Sequence, residues 1–158
     1  MNADKEPVTV LLLEDAELDV ILARRAVERA LPHAVIAHAQ DGADAWEFLT
    51  ERRQLQGVSC RGKLALAVLD IRVPKVTGLE LLARIRQDSH FHSTKAIVMS
   101  TSDDDRDISE AHRCGADAYL VKHIDASEFV RTLATLVKEH CRMSEFRKGL
   151  LFGVPSFA

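Results

Sequence analysis

The sequence predicts one α/β domain, a doubly wound parallel sheet of five strands with helices on both faces. The length of 158 residues fits a single domain. Five short apolar runs without polar alternation, typical of strands buried on both faces, alternate with amphipathic stretches. Strands that alternate with helices favour parallel pairing, because each crossover helix covers a face of the sheet.

The apolar runs predict the strands in chain order. Four of them are continuous, whereas the second is weaker and centres on Val35 and Ile36. The runs occupy residues 8–13, 35–36, 64–69, 96–99 and 118–121. Each run ends at a polar or small residue, which marks the point where the chain leaves the sheet.

Apolar residues spaced three and four apart predict a helix after each strand. Pro32 ends the first helix, Asp41 and Gly42 open the second, and Cys114 with Gly115 ends the short, weakly apolar fourth helix. The apolar positions of the five helices are Ala23, Ala26, Val27, Ala30 and Leu31; Ala45, Trp46, Phe48 and Leu49; Gly78, Leu81, Leu82 and Ile85; Ile108 and Ala111; and Phe129, Val130, Leu133, Leu136 and Val137. Asp125 or Ser127 is the expected N-cap of the fifth helix.

Composition excludes several classes of function. The net charge of −3 and the pI of about 6.2 give no basic field for a nucleic-acid backbone. No apolar run approaches the roughly 20 residues of a membrane span, and the first seven residues lack a signal peptide. Three widely spaced cysteines argue against a disulfide framework, so we expect a cytoplasmic protein.

Polar side chains follow four of the five predicted strands. Glu14 and Asp15 follow the first strand, Asp70 the third, Ser100 the fourth and Lys122 the fifth. Ligands of open α/β sheets bind at the carboxyl ends of the strands. The sequence therefore predicts that these five residues share one site.

Three carboxylates this close would repel one another unless a divalent cation lies among them. Mg²⁺ is suited to such a set, because it takes carboxylates together with water and phosphate oxygens. A carboxylate can also act as a nucleophile and form an aspartyl phosphate. A lysine and a hydroxyl would then hold the phosphoryl oxygens.

Each residue also has an ordinary structural interpretation. Glu14 and Asp15 could cap the first helix, Asp70 could begin a turn towards Pro74, and Lys122 could lie on the surface. All of these residues follow the carboxyl ends of predicted strands, which favours one shared functional site over separate structural roles.

The residues resemble the receiver domain of bacterial two-component response regulators over residues 7–142. The matching motifs are the Glu14–Asp15 pair, a D-x-x-x-P-x-x-x-G run over residues 70–78, Ser100, and Tyr119 with Lys122. The resemblance implies a flavodoxin-like receiver fold with strand order 2-1-3-4-5. It further implies a signalling protein whose only catalysis is its own phosphotransfer and autodephosphorylation.

The resemblance also implies a role for each site residue. Asp70 would accept a phosphoryl group from a sensor histidine kinase. Mg²⁺ would be held by Asp15, Asp70 and the backbone carbonyl of Arg72, with Glu14 assisting. Lys122 and Ser100 would bind the phosphoryl oxygens, and Ser100 and Tyr119 would move on activation.

The sequence departs from the family pattern at three positions. Position 72 is Arg, which preserves a carbonyl ligand but places a long side chain beside the acceptor. Position 100 is Ser in place of the commoner Thr. Position 123 is His where the family usually has a proline with a cis peptide, so we expect a different loop shape there.

The long connection over residues 51–63 and the extension over 144–158 are similar to those of small regulators that partner phytochrome histidine kinases. We expect a receiver domain over residues 1–143 without a DNA-binding output domain. We expect residues 144–158 to trail beyond the last helix as a possible dimerisation arm of a homodimer. The apolar residues of this extension are Phe146, Leu150, Leu151, Phe152 and Phe157.

Two alternative functions remain open from sequence. A Mg²⁺-dependent aspartyl phosphohydrolase would usually carry a second carboxylate two residues after the nucleophile, where this chain has Arg72. A phosphorylation-independent interaction module of the same fold would not need the complete acidic set.

Overall fold

A computed structural model describes residues 7–122 and 125–153, with side chains described as far as residue 141. Five parallel strands form one sheet in the order β2-β1-β3-β4-β5, which confirms the predicted fold and strand order. The strands are β1 (Thr9–Leu13), β2 (Val35–Ala39), β3 (Leu66–Asp70), β4 (Lys95–Ser100) and β5 (Ala118–Val121). Each falls on one of the apolar runs.

Five helices alternate with the strands. They are α1 (Glu17–Ala30), α2 (Gly42–Leu49), α3 (Gly78–Gln87), α4 (Asp105–Arg113) and α5 (Ala126–Gly153). Helices α1 and α5 pack together on one face of the sheet, while α2, α3 and α4 contribute to the core on the other. Within the described residues, no helix is both long and apolar enough to cross a bilayer.

Strand β1 shows why the strand runs are continuously apolar. Leu11 and Leu13 pack in the core beneath α2 and α3, while Val10 and Leu12 pack beneath α1 and α5. All four side chains are fully buried. Successive side chains of a strand point to opposite faces, so a strand covered on both faces has no solvent-facing position.

Side-chain caps fix several helix starts. Asp41 Oδ1 accepts a hydrogen bond from Asp44 N at 2.8 Å, and Thr77 forms a reciprocal capping box with Glu80. Asp125 Oδ1 accepts from Glu128 N at 3.1 Å, so Asp125 is the cap that opens α5. Gly115, with φ of +102°, follows α4 as predicted.

The last helix is longer than the sequence predicts. We expected residues 144–158 to lie beyond it, but α5 continues to Gly153, ten residues past the expected boundary at 143. Residues 144–152 contain good helix formers, and Gly149 alone costs only about 1 kcal/mol, while Pro155 is the first proline after the helix start. The side chains of Leu150, Leu151 and Phe152 lie outside the described residues, as does Phe157, so the dimerisation arm stays a prediction.

The connection over residues 51–63 is more than a polar loop. Leu55 and Val58 form a short antiparallel bridge, and Leu55 and Cys60 are buried against the core beneath α2 and α3. Glu51, Gln56 and Arg61 have positive φ angles. The loop is therefore anchored along the edge of the sheet by two apolar side chains.

Arg86 ties α3 to the amino-terminal ends of β4 and β5. Its guanidinium donates to the carbonyls of Gly115 at 2.7 Å and Thr94 at 2.6 Å, and to Asp117 Oδ2 at 3.0 Å. Asp117 in turn accepts from Ala96 N at 2.9 Å. A planar guanidinium with several fixed donors suits this arrangement, whereas an ammonium does not.

We predict that Arg86→Lys lowers the free energy of unfolding by about 1.5–3 kcal/mol, because several carbonyls lose a charged donor. Chemical denaturation measures the change. Arg84→Lys, an exposed arginine on the same helix, is the matched control. It should change stability by no more than about 0.5 kcal/mol, because its guanidinium lies 5.8 Å from the centre of the Trp46 ring and a lysine ammonium can keep that contact. Equal effects of the two substitutions would contradict this role for Arg86.

Candidate functional site

The carboxyl edge of the sheet brings the five predicted residues together. Strands β1, β3 and β4 lie side by side, so Glu14 and Asp15 follow β1, Asp70 ends β3 and Ser100 ends β4. Lys122 follows β5, and its backbone N–H donates to the Ser100 carbonyl at 2.7 Å.

Glu14 is fully buried and lies just before α1. Its Oε1 accepts hydrogen bonds from the backbone N–H groups of Asp15 at 3.1 Å and Ala16 at 3.0 Å. Both groups precede the first turn of α1, and its N-cap residue, Ala16, makes no side-chain capping hydrogen bond, so Glu14 does not cap the helix as its ordinary structural interpretation required. The other oxygen, Oε2, faces Lys122. Burial raises the pKa of Glu14 to about 7, with the hydrogen bond from Lys122 opposing this and the nearby Asp70 adding to it.

Lys122 bridges the carboxylates. Its Nζ donates to Glu14 Oε2 at 2.6 Å, to Asp70 Oδ2 at 2.8 Å and to Asp19 Oδ2 at 3.0 Å. Burial alone would lower the pKa of Lys122, but its hydrogen bonds to Asp70, Glu14 and Asp19 outweigh burial and hold the pKa above its ordinary value. The ammonium stays charged, and all three of its protons are used.

Asp19 is a site residue that sequence reasoning missed. It lies in the first turn of α1, four residues after Asp15, and its carboxylate is partly exposed. Its local sequence carried no signal, because Asp15 lies before the helix and Asp19 joins the site only through Lys122, which is distant in sequence.

The acidic pocket fits a divalent cation. Carboxylate oxygens of Glu14, Asp15 and Asp70 all lie within 4.8 Å of one another. Hard oxygen ligands of this kind suit Mg²⁺, and the exposed Asp15 leaves room for the waters that Mg²⁺ usually keeps. Lys122 supplies a single positive charge to Glu14, Asp15, Asp19 and Asp70, so the pocket has negative charge left to bind a cation.

A backbone N–H group in the turn after β3 binds the Asp70 side chain. Asp70 Oδ1 accepts from Arg72 N at 3.1 Å, and the Arg72 side chain is exposed. Gly78 N donates to the Ile71 carbonyl at 3.1 Å. A Cβ on Gly78 would lie 2.1 Å from the Asp70 carbonyl oxygen, so α3 can start here only at a glycine.

A second hydrogen-bonded group joins the end of β4 to α4. Ser100 is buried, and its Oγ accepts from Ser102 N at 3.1 Å. The hydroxyl of Tyr119 donates to the Ser102 carbonyl at 2.8 Å, and the hydroxyl of Ser102 donates to Asp107 Oδ2 on α4. Ser102, which sequence reasoning did not single out, therefore connects Ser100 with Tyr119 and with α4.

Two expectations about this site are not tested by these contacts. The Arg72 carbonyl as a metal ligand stays a prediction. His123, where we expected an unusual loop, lies outside the described residues.

Comparison with known proteins assigns the chain to a family. The family model described as the response regulator receiver domain matches residues 10–134. The chain therefore belongs to the response regulator receiver domain family, a family of two-component signalling domains.

Individual relatives and solved structures are themselves described as response regulators. Response regulator Rcp1 of Synechocystis is 31% identical over 120 residues, which cover 73% of this chain and 77% of Rcp1. The structure of response regulator RPA3017 in red light signaling of R. palustris is 27% identical, with a TM-score of 0.69 over 82% of this chain and 90% of that one. The Mn²⁺-bound structure of Rcp1, at 23% identity and a TM-score of 0.72 over 82% and 91% of the two chains, shares the fold.

We predict that Gly78→Ala destabilises the protein by about 3 kcal/mol or more, because the added methyl group would collide with the Asp70 backbone. The measurement is the free energy of unfolding. Gly57→Ala is the control: its Cβ meets no atom within 4 Å, so only its φ of +76° costs energy, about 1–2 kcal/mol. The interpretation fails if Gly78→Ala is the milder substitution.

Proposed function

We propose that this protein is a phosphoacceptor response regulator, in which Asp70 takes a phosphoryl group from a phosphohistidine of a sensor kinase. The observation that carries the proposal is the bridging of Asp70 and Glu14 by Lys122 beside a three-carboxylate cluster. Such an arrangement would provide a nucleophilic carboxylate, a cation for phosphoryl oxygens and a set of metal ligands in one pocket.

In the proposed transfer, a carboxylate oxygen of Asp70 attacks the phosphorus of the phosphohistidine. A new O–P bond forms as the P–N bond breaks, and the electron pair leaves with the imidazole nitrogen. Arg72 N and Lys122 Nζ orient the two oxygens of Asp70 before the attack. Glu14, Asp15, Asp70 and the Arg72 carbonyl would hold Mg²⁺, which neutralises phosphoryl charge when bound.

The proposed output is a shift in the surface around α4. The phosphoryl group adds about −1.5 to −2 of charge beside Ser100. Ser100 would turn its hydroxyl towards the new oxygens. Ser102 contacts Ser100, Tyr119 and α4. A movement of Ser100 would therefore shift the positions of Tyr119 and α4 through Ser102.

We further infer that the kinase is of the phytochrome type, that the protein is cytoplasmic and that it acts as a homodimer. The similarity to RPA3017 in red light signaling and to the bacteriophytochrome response regulator AtBRR supports the kinase class. The exposed, non-carboxylate Arg72 two residues after Asp70 counts against the phosphohydrolase alternative.

Helix α1 offers the kinase an apolar contact next to the acceptor. Leu18 is 65% exposed and Ile21 is 48% exposed, although both are large apolar residues. The same helix begins at the acidic pocket and carries Asp19, which contacts Lys122. A partner that delivers a phosphohistidine to Asp70 would therefore lie against these two side chains.

We predict that a small-molecule phosphodonor with Mg²⁺ adds one phosphoryl group to the protein, and that Asp70→Asn removes this addition. Intact-mass spectrometry measures the adduct, with Mg²⁺ omitted in a parallel sample. Asp19→Asn is the matched control in the same pocket and should keep the adduct, because Asp19 contacts Lys122 but is not the acceptor. An adduct that persists in Asp70→Asn would refute the assignment. No adduct on the folded wild type would favour the interaction module.

We predict that Leu18→Glu and Ile21→Glu slow phosphotransfer from an autophosphorylated phytochrome-type histidine kinase by about tenfold or more, since each places a charge in an apolar contact. Transfer from the small-molecule donor should stay unchanged, because that reaction needs no docking. Val8→Glu, which is 38% exposed just before β1 at the other end of the sheet, is the control. Equal slowing with both donors would place the defect in the acceptor site and not in docking.

A further inference from the structure

The backbone between two of the pocket carboxylates is held by a histidine on the neighbouring strand. His38 lies in β2, half-buried, with its Nε2 2.8 Å from the carbonyl oxygen of Glu14. A carbonyl oxygen can only accept, so Nε2 carries the proton and donates it. Glu14 N, on the other side of the same residue, donates to the Ala39 carbonyl at 3.1 Å.

This contact acts on the geometry of the acidic pocket. The peptide unit between Glu14 and Asp15 has its C=O bound by His38 and its N–H bound by Glu14 Oε1 at 3.1 Å. A rotation of that peptide plane would break both bonds and swing the two carboxylates relative to each other. The spacing of the cluster that includes Asp70 depends on this orientation.

His38 is itself held from the open edge of the sheet. Strand β2 lies at the edge, and the side-chain amide of Gln56 pairs with its backbone there. His38 N donates to Gln56 Oε1 at 2.9 Å, and Gln56 Nε2 donates to the His38 carbonyl at 2.9 Å. Gln56 adopts a φ of +46°, a left-handed conformation that costs energy and persists because neighbouring contacts hold it.

We propose that His38 is a positioning residue for the acidic pocket and that Gln56 supports it, so that the loop over residues 51–63 tunes divalent-cation affinity. The proposal rests on the proposed function, because it takes Glu14 and Asp15 as cation ligands. Partners that orient metal ligands typically change metal affinity 10–100-fold when they are removed. His38 acts on the ligands through a backbone carbonyl and needs no contact with the cation.

The test is a Mg²⁺ titration of the full chain, followed by amide chemical shifts, with His38→Ala and Gln56→Ala. We expect His38→Ala to raise the Kd for Mg²⁺ about tenfold and Gln56→Ala to raise it about threefold. His33→Ala and Gln54→Ala, exposed neighbours of the same residue types, should leave the Kd within about twofold. His38→Gln should recover part of the affinity, because its amide restores an N–H donor.

Two further readouts separate positioning from a general loss of structure. The maximal rate of phosphorylation at saturating Mg²⁺ should stay within about threefold of wild type, and the Asp15 amide shift should move in metal-free His38→Ala. An unchanged Kd in His38→Ala and His38→Gln, even with a lower Tm, would overturn the proposal. Absence of Mg²⁺ binding by the wild type would instead overturn the proposed function, and this inference with it.

Discussion

The ion cluster around Lys122 is the interaction on which the rest of the site depends. Burying Glu14 and Asp70 at the end of a sheet is costly unless a cation compensates them, and Lys122 contacts both within 2.8 Å. The pKa of Glu14, raised by burial to about 7, shows that one ammonium does not fully offset the desolvation. The strand order brings β1 and β3 together and places β5 within reach. The fold therefore brings the buried carboxylates and the lysine that compensates their charge to the same place.

The two ends of the sheet differ in what their polar side chains do: those at one end stabilise the fold, and those at the other form the acidic pocket. At the amino-terminal end, Arg86 binds the carbonyls of Thr94 and Gly115 and the carboxylate of Asp117, and Asp117 binds an N–H group of β4, which holds α3, β4 and β5 in place. At the carboxyl end, polar groups are concentrated around Asp70, and Gly78 lets α3 begin against its backbone. A scaffold fixed firmly at one end can carry an electrostatically expensive arrangement at the other.

Much of this molecule could be predicted from the sequence because its main signals are local. An apolar run of about four to six residues marks a strand covered on both faces, and the next polar residue marks the edge of the sheet. These two signals identified Glu14, Asp70 and Lys122. Contacts between residues distant in sequence left no such mark. Asp19, the contact of Tyr119 with Ser102 and the pairing of Gln56 with the His38 backbone therefore came only from the structure. The length of α5 was missed because residues 144–153 carry weak amphipathic order but good helix formers.

The amide of Gln56 also has a consequence for self-association. An edge strand exposes unpaired N–H and C=O groups that can recruit a strand from another molecule. On β2, Gln56 fills one such pair at His38, with a side chain standing in for a neighbouring strand. Addition of a strand from another molecule at this position of β2 is thereby discouraged, because the groups that it would bind already have a partner within the chain.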